Sequence, residues 1–531
     1  MDKRTMVALG LTIVLIFFFQ MYFTPKPATQ APQATQATGE AAKTEAAKTP
    51  GTTPKASLPG GPSAPAQKAE QKATREITVE TAKLKVTLTD LGGAISSVKL
   101  KNYKEKVNKP DSKEMIEDVK PYVYIPKVFA AVTGDTGSDR TLFTSNRDKI
   151  VLTDKPETLV MSGTLTDGRA VKKTYTFQPD GYTIDLKVAV AGADAIKPAM
   201  DFAMVTGKNE SSYTFKGPFY LAGNKFEQVD SVEKNVDLDK AYRYVGLDDG
   251  FFAFIWIPDA GSQTPATLVK GENAIPVIRL SLPGGSASGR MYFGPKNTEI
   301  LKGLNVGAEK IVDFGWFDII AKPMIIGMNY CNKLTHNYGI DIILLTILIK
   351  LIFYPLSVKS YKSMKEMQKT QPILAKLKEK YKDDKAKLNQ EIMGLYKQKG
   401  INPMGGCLPM VIQIPVFFAL YKALSAAIEL RHAPFMLWIN DLSSPEDLYT
   451  LHVAGFDLPL RVLPLVMGVT QVIQQQMTPT SVDPMQQKIM LAMPIVFTFI
   501  FWGFPSGLVL YWLVNNVISI AQQYYINKKV S

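Results

Sequence analysis

Histidine and cysteine are scarce in this sequence. The three histidines are His336, His432 and His452, and the two cysteines are Cys331 and Cys407. Two cysteines in a chain of this length cannot build a disulfide framework, and no spacing matches a metal-ligand set. The front half has no imidazole for acid–base work. No Gly-x-x-x-x-Gly-Lys-Ser/Thr loop and no well-placed Gly-x-Gly-x-x-Gly is present, which leaves no basis for ATP or dinucleotide use. No cofactor, no metal and no enzymatic reaction is expected.

What is present is divided unevenly. A chain of 531 residues has room for more than one folded unit at roughly 100–200 residues each. Sixty-one basic against 48 acidic residues give a net charge of +13, and 46% of residues are hydrophobic, an average that resembles a soluble protein. The average hides a split. Charged and β-like sequence fills roughly the first 310 residues, and long apolar runs fill roughly the last 200.

Lys3 and Arg4 precede an uncharged run of 18 residues, Met6 to Phe23. At 1.5 Å per residue the run is about 27 Å long, near the thickness of a bilayer core. No small-x-small site follows directly, so residues 1–23 read as an uncleaved signal-anchor with a cytoplasmic N-terminus. A cleaved signal peptide is the alternative. Residues 24–75 have no aromatic and only Leu58 among large aliphatics. They read as a disordered linker that cannot offset its own ordering entropy.

Residues 76–312 carry period-2 alternation over many short runs. Tyr182-Thr-Ile184-Asp-Leu186-Lys-Val188 follows the turn Pro179-Asp180-Gly181, and Thr166-Asp167-Gly168 is a second turn signal. The pattern predicts an all-β, antiparallel sandwich with a scaffold or docking role. Residues 313–339 place Trp316, Phe317, Ile320, Met324, Met328, Cys331 and Leu334 near helical spacing. They predict an amphipathic helix in the outer interface; an extension of the next span is the alternative.

Five apolar segments follow: 340–356, 404–428, 458–476, 489–504 and 508–526. With the anchor they make six spans, four of them within 404–526, followed by a short tail at 527–531. The segment 357–403 holds twelve lysines against five acids, whereas 429–457 holds Arg431 against five acids. The positive-inside rule puts the first in the cytoplasm and the second outside, with both termini cytoplasmic. Within 357–403, Leu388, Ile392, Leu395 and Tyr396 share a helical face, capped by Asp383 or Asp384 and stopped by Gly400. The segment predicts a cytoplasmic helical hairpin. Its lysine-rich face has three readings: solvated surface, contact with membrane lipids, and contact with ribosomal RNA or a targeting factor.

Lys350 is the lone charge between Ile342 and Leu356, about 9 Å inside the cytoplasmic boundary. A lysine at a helix centre costs about 2.5–3.5 kcal/mol on insertion scales, less if it snorkels. Other polar groups point to a wetted cavity. Thr346 lies one turn before it, Gln413 lies inside the third span, and Gln471, Gln474 and Gln475 lie in the fourth. In the last span Trp512, Asn516, Ser519 and Gln523 share one face. Interhelical hydrogen bonding is the alternative. Ser506 has no histidine in any span to activate it, which disfavours a serine protease.

Several motifs carry a resemblance. Asn402-Pro-Met-Gly-Gly-Cys-Leu-Pro409, Gln413-Ile-Pro-Val-Phe-Phe-Ala-Leu-Tyr421, Glu429-Leu-Arg-His-Ala-Pro-Phe-Met-Leu-Trp438, Asp483-Pro-Met-Gln-Gln-Lys-Ile489 and Phe504-Pro-Ser-Gly-Leu-Val-Leu-Tyr511 resemble the YidC membrane-protein insertases. The match runs closely over 340–526. It continues in outline through the anchor and outer domain, as in Gram-negative members.

The resemblance implies a multi-pass protein of the bacterial inner membrane with a five-helix core. A hydrophilic groove in that core would open to the cytoplasm and to lipid and be closed outside. It implies nascent membrane proteins as substrates, handled alone or with the Sec translocon, and the ribosome or signal recognition particle as partners of the hairpin. It places Lys350, Thr346, Gln413, Trp512, Asn516 and Ser519 in the groove. Ile414, Pro415 and Phe418 would face the incoming apolar segment. The family usually carries arginine where Lys350 stands, so the charge is kept and the bidentate fork lost. It commonly has tyrosine at Trp512. Competing classes are a small-solute or ion transporter, which often carries internal repeats not seen here, and a structural protein whose sandwich binds glycan.

Overall fold

The computed structural model describes residues 75–116, 125–130, 141–193, 196–204, 215–238, 242–262, 264–400, 408–453, 456–477 and 484–529. The anchor expected at 1–23, the linker up to residue 74, and the segments 401–407 and 478–483 lie outside the described residues.

Alternation in the sequence becomes alternation in burial. In Thr183–Val190 the side chains of Ile184, Leu186, Val188 and Val190 are buried, and in Glu76–Glu80 those of Ile77 and Val79. Among the described residues the β region is made of three sheets. The largest has nine antiparallel strands, with Phe252–Pro258, Ser286–Pro295 and Thr183–Val190 side by side at its centre. A five-stranded antiparallel sheet lies against it, where Phe202 stacks on Phe254 and Trp256 at ring separations of 5.1 and 5.4 Å. The third sheet, also five-stranded, departs from the antiparallel expectation at one edge: Thr78–Glu80 pairs in parallel with Lys149–Val151.

This β-rich region buries charges, and each is matched. Lys296 Nζ donates to Asp248 Oδ2 at 2.9 Å. Lys113 lies 3.2 Å from Glu105 and 3.4 Å from Asp249. Arg279 donates to both oxygens of Asp201 at 2.8 Å. Lys173 donates to the carbonyls of Gly92 and Pro126 at 2.7 and 2.8 Å. Burial pushes the Asp248 carboxyl up to about 6 despite the opposing pull of Lys296.

From residue 298 the chain turns helical. Helix α1 (Thr298–Lys302) is capped by Asn297. Helix α2 (Asp318–Thr335) buries Ala321, Met324 and Met328 along one stripe. Trp316, Ile319, Ile326, Tyr330 and Leu334 are exposed, so the apolar surface of this segment is wider than the side that packs. Trp316 and Leu334, counted with the amphipathic stripe in the sequence, stand outside the packed side.

Helix α3 (Tyr338–Ile352) starts at the Asn337 cap and stops at Phe353. Helix α4 (Tyr354–Lys380) leaves at 66° to it, with Pro355 in its first turn. Proline suits that position because its missing N–H has no helical partner there anyway. Helix α5 (Lys385–Gln398) follows, capped by Asp384, which accepts from Lys387 N at 2.9 Å.

Helix α6 (Leu408–Ala426) leads to a loop that ends in a strand pair, Tyr449–Val453 with Phe456–Leu460. Leu458–Leu460, expected at the start of a span, is therefore strand. Helices α7 (Val462–Met477), α8 (Pro484–Phe501) and α9 (Ser506–Lys529) complete the chain. Among the described residues no single helix is long and apolar enough to cross a membrane; the bent pair α3 and α4 is, by length and composition.

Candidate functional site

Lys350 sits in the last turn of α3 and is 9% exposed. Its ammonium donates to Ser519 Oγ on α9 at 2.7 Å, and the Ser519 hydroxyl donates onward to Asn515 O at 2.7 Å. Among the described residues no carboxylate lies within ion-pair distance of Lys350. The cation is thus held among helices by a neutral hydroxyl.

The hydrogen bonds spread from there across three helices. Gln413 Nε2 on α6 donates to Tyr511 OH at 2.9 Å and to Asn515 Oδ1, both on α9. Tyr361 OH on α4 donates to Ser519 O at 3.4 Å. On the other side of α9, Asn516 donates to Thr470 Oγ1 at 3.3 Å and Gln523 to Met477 O at 2.7 Å, both on α7. Buried Gln471 Oε1, Gln475 Nε2 and Trp512 Nε1 find no hydrogen-bond partner among the described residues. A bundle that buries unpaired amide and indole groups is costly when dry and is suited to water.

Two of the expected groove residues are occupied otherwise. Thr346 is fully buried, and its hydroxyl donates to Ile342 O of its own helix at 2.6 Å. Trp512 packs in an aromatic cluster with Phe417, Phe497 and Phe501, with ring separations of 5.1, 6.1 and 5.1 Å. The apolar face of α6 is divided. Ile414 and Pro415 are exposed, whereas Phe418 stacks on Phe317 at 5.8 Å.

The start of α7, the end of α8 and the start of α9 are tied by the loop after α6. Asp441 Oδ1 accepts from His432 N, Ser443 N and Ser443 Oγ, and Oδ2 from Ser444 Oγ. The Asp441 carbonyl accepts from Ser506 Oγ at 2.6 Å, at the start of α9. Glu446 accepts from Trp438 Nε1 at 2.9 Å and from Leu463 N, at the start of α7, at 2.5 Å. Arg461 donates to Trp502 O beyond α8. A Cβ at Gly507 would lie 3.0 Å from Leu442 O and Leu424, a tight fit that a small shift of either would have to relieve, so the loop closes closely on α9.

Two family models match the chain, one described as 60Kd inner membrane protein over residues 330–531 and one as YidC periplasmic domain over residues 76–326. The membrane protein insertase YidC of Pelobacter propionicus is 39% identical, with 100% of both chains covered. That of Geobacter metallireducens is 40% identical, with 100% of this chain and 99% of the relative covered. The chain belongs to the YidC membrane protein insertase family. A solved structure of an active YidC insertase with its first transmembrane domain resolved covers 86% of this chain and 93% of its own, at 19% identity and a TM-score of 0.40. As in YidC proteins generally, the chain is an inner-membrane protein with a β-rich periplasmic domain and a helical C-terminal region.

In this YidC-family chain the joint between the two regions uses the Glu429-Leu-Arg-His segment. Arg431 donates to the carbonyls of Lys104 and Glu105 at 2.8 and 3.1 Å, with its guanidinium 5.1 Å from the Phe252 ring centre. Glu429 accepts from Asn297 Nδ2 at 2.8 Å, and burial raises its carboxyl above the usual range. Sequence reasoning missed Asn515, Tyr511 and Tyr361 as members of the hydrogen-bond network that includes Lys350. Asn515 adjoins the polar face of α9, and its polarity within an apolar run was the available signal. Tyr361 comes within reach because of the bend at Phe353, which Pro355 signals.

Proposed function

We propose that this chain inserts apolar segments of nascent membrane proteins into the inner membrane and assists their folding, by lowering the barrier to passage of their polar tails. The observation that carries the reading is Lys350, buried and bonded to a neutral hydroxyl with no carboxylate alongside among the described residues. A cation so held is an electrostatic site left open for acidic groups of a client. Moving a polar tail through hydrocarbon is costly, and a hydrated groove shortens the dry path. The client's apolar stretch then slides along Ile414 and Pro415 into lipid, and its burial, worth about 25 cal/mol per Å², drives the process without ATP.

In the same reading the spans are six. The lysine-rich α4–α5 hairpin and both termini are cytoplasmic, the domain at 76–312 is periplasmic, and the hairpin receives the ribosome or signal recognition particle. Some clients arrive through the Sec translocon. The loop around Asp441 and Glu446 supports closure of the groove at its outer end.

Site-specific crosslinking from positions 414 and 512 to a stalled nascent membrane protein tests the proposal. Adducts at both positions are expected. Absence of adducts at both, with the variant chains folded, overturns it.

A further inference from the structure

The α6 face assigned to clients is exposed over only part of its length. Ile414 and Pro415 are open. One turn outward, Phe418 lies under Phe317, the rings nearly parallel at 26° and 5.8 Å apart. A further turn outward is Lys422, and Asp313 lies within electrostatic reach of it. Residues 315–317 therefore pack against α6, with Phe317 over Phe418.

This covering segment is short and internally braced. Gly315 N donates to Asp313 Oδ1 at 2.8 Å, and Phe314 N to Asp318 Oδ1 at 2.9 Å. Gly315 has φ of 63°, a left-handed conformation that favours glycine. Phe314 is buried, Phe317 is half-buried on Phe418, and Trp316 is 99% exposed between them. The turn is anchored on one side, braced by two hydrogen bonds from backbone N–H to aspartate side chains, and placed in the way of an apolar helix lying along α6.

We propose that Phe317 is a specificity-determining residue of insertion, its ring holding the place on α6 that the outermost turn of a client's apolar segment must take. The inference rests on the reading of Ile414, Pro415 and Phe418 as the client face. Phe418 is half-buried, and a client gains the ring face under Phe317 by displacing it, so a client whose outer turn is weakly apolar pauses at Ile414. A client with a bulky apolar outer turn proceeds. The opposite charges of Asp313 and Lys422 favour return of the segment once the client has left.

The experiment uses the full chain in membranes and a stalled nascent client, with a photocrosslinker at position 414 or 418. In Phe317→Ala, adducts from 418 to a weakly apolar client rise about two- to tenfold, the factor to which an aromatic pair of this kind corresponds. Adducts from 414 stay constant. Phe317→Trp lowers the 418 adducts. Equal 418 adducts in the parent and in Phe317→Ala overturn the inference while leaving the client path intact. Loss of adducts from both positions in the parent overturns the client path itself. If Phe317→Ala fails to accumulate, Phe317→Leu is read in the same assay, where a rise at 418 supports the competition and no change overturns it.

Discussion

Charges are buried in both regions of this molecule, in opposite company. In the β-rich region Lys296 faces Asp248, Lys113 faces Glu105 and Asp249, and Arg279 faces Asp201. In the helical region Lys350 faces only the hydroxyl of Ser519 among its described hydrogen bonds. A buried pair that is complete fixes a structure and has little left to offer a ligand. A buried cation satisfied by a weak neutral acceptor keeps most of its attraction for an anion. Lys173, buried on the carbonyls of Gly92 and Pro126, crosses that division, so the contrast is between the ion-paired sites of the β-rich region and Lys350.

The contrast can be broken by experiment, starting with the largest effect. Lys296→Met leaves Asp248 buried and unpaired and should cost about 3–5 kcal/mol of stability, read by chemical unfolding in detergent. Insertion per folded molecule should not change. A cost no larger than that of a surface substitution would remove the distinction.

The same pair gives the next effect, through pH. Burial raises the folded Asp248 carboxyl to about 6, against about 4 in the unfolded chain. Ionising it is therefore harder in the folded state, and its contribution falls as pH rises from about 4 to about 6. Asp248→Asn should lack that fall in thermal unfolding across the window. An unchanged slope would show that the pair is not the source.

Charge reversal at Lys350 comes third. Lys350→Glu should slow insertion of clients with acidic tails roughly tenfold, equivalent to about 1.4 kcal/mol, while Lys350→Arg should retain it. Full activity in the Glu variant would make the cation a bystander.

The smallest effect sharpens the comparison instead. In a dry interior, Ser519→Ala would remove a charge-assisted hydrogen bond worth about 1.5–3 kcal/mol. In a hydrated groove water replaces the hydroxyl, and the loss should stay below about 0.5 kcal/mol. A large loss of stability would argue for a sealed core.

Much of this was legible from side-chain patterns. Alternation at Ile184, Leu186 and Val188 gave the strands, because one face of a sheet must be apolar. The caps at Asp384 and the apolar stripe after it gave α5, because helix ends need acceptors. The polar residues of α9 stood out because hydrocarbon penalises them. What was hidden depended on three-dimensional placement. The parallel pairing of Thr78–Glu80 with Lys149–Val151 leaves no local signal, since strand partners are chosen by tertiary packing. Thr346 looked free on the sequence, but a threonine in a helix can spend its hydroxyl on its own backbone. Phe418 looked open because nothing in an apolar helix reveals that Phe317, a hundred residues earlier in the chain, lies over it.

The bend at Phe353 turns α4 into a handle. Twenty-seven residues of continuous helix extend from a pivot just after Lys350, and Tyr361 hooks the near end of the handle to Ser519. The surroundings of the cation and the α4–α5 hairpin are thereby joined in one piece of backbone.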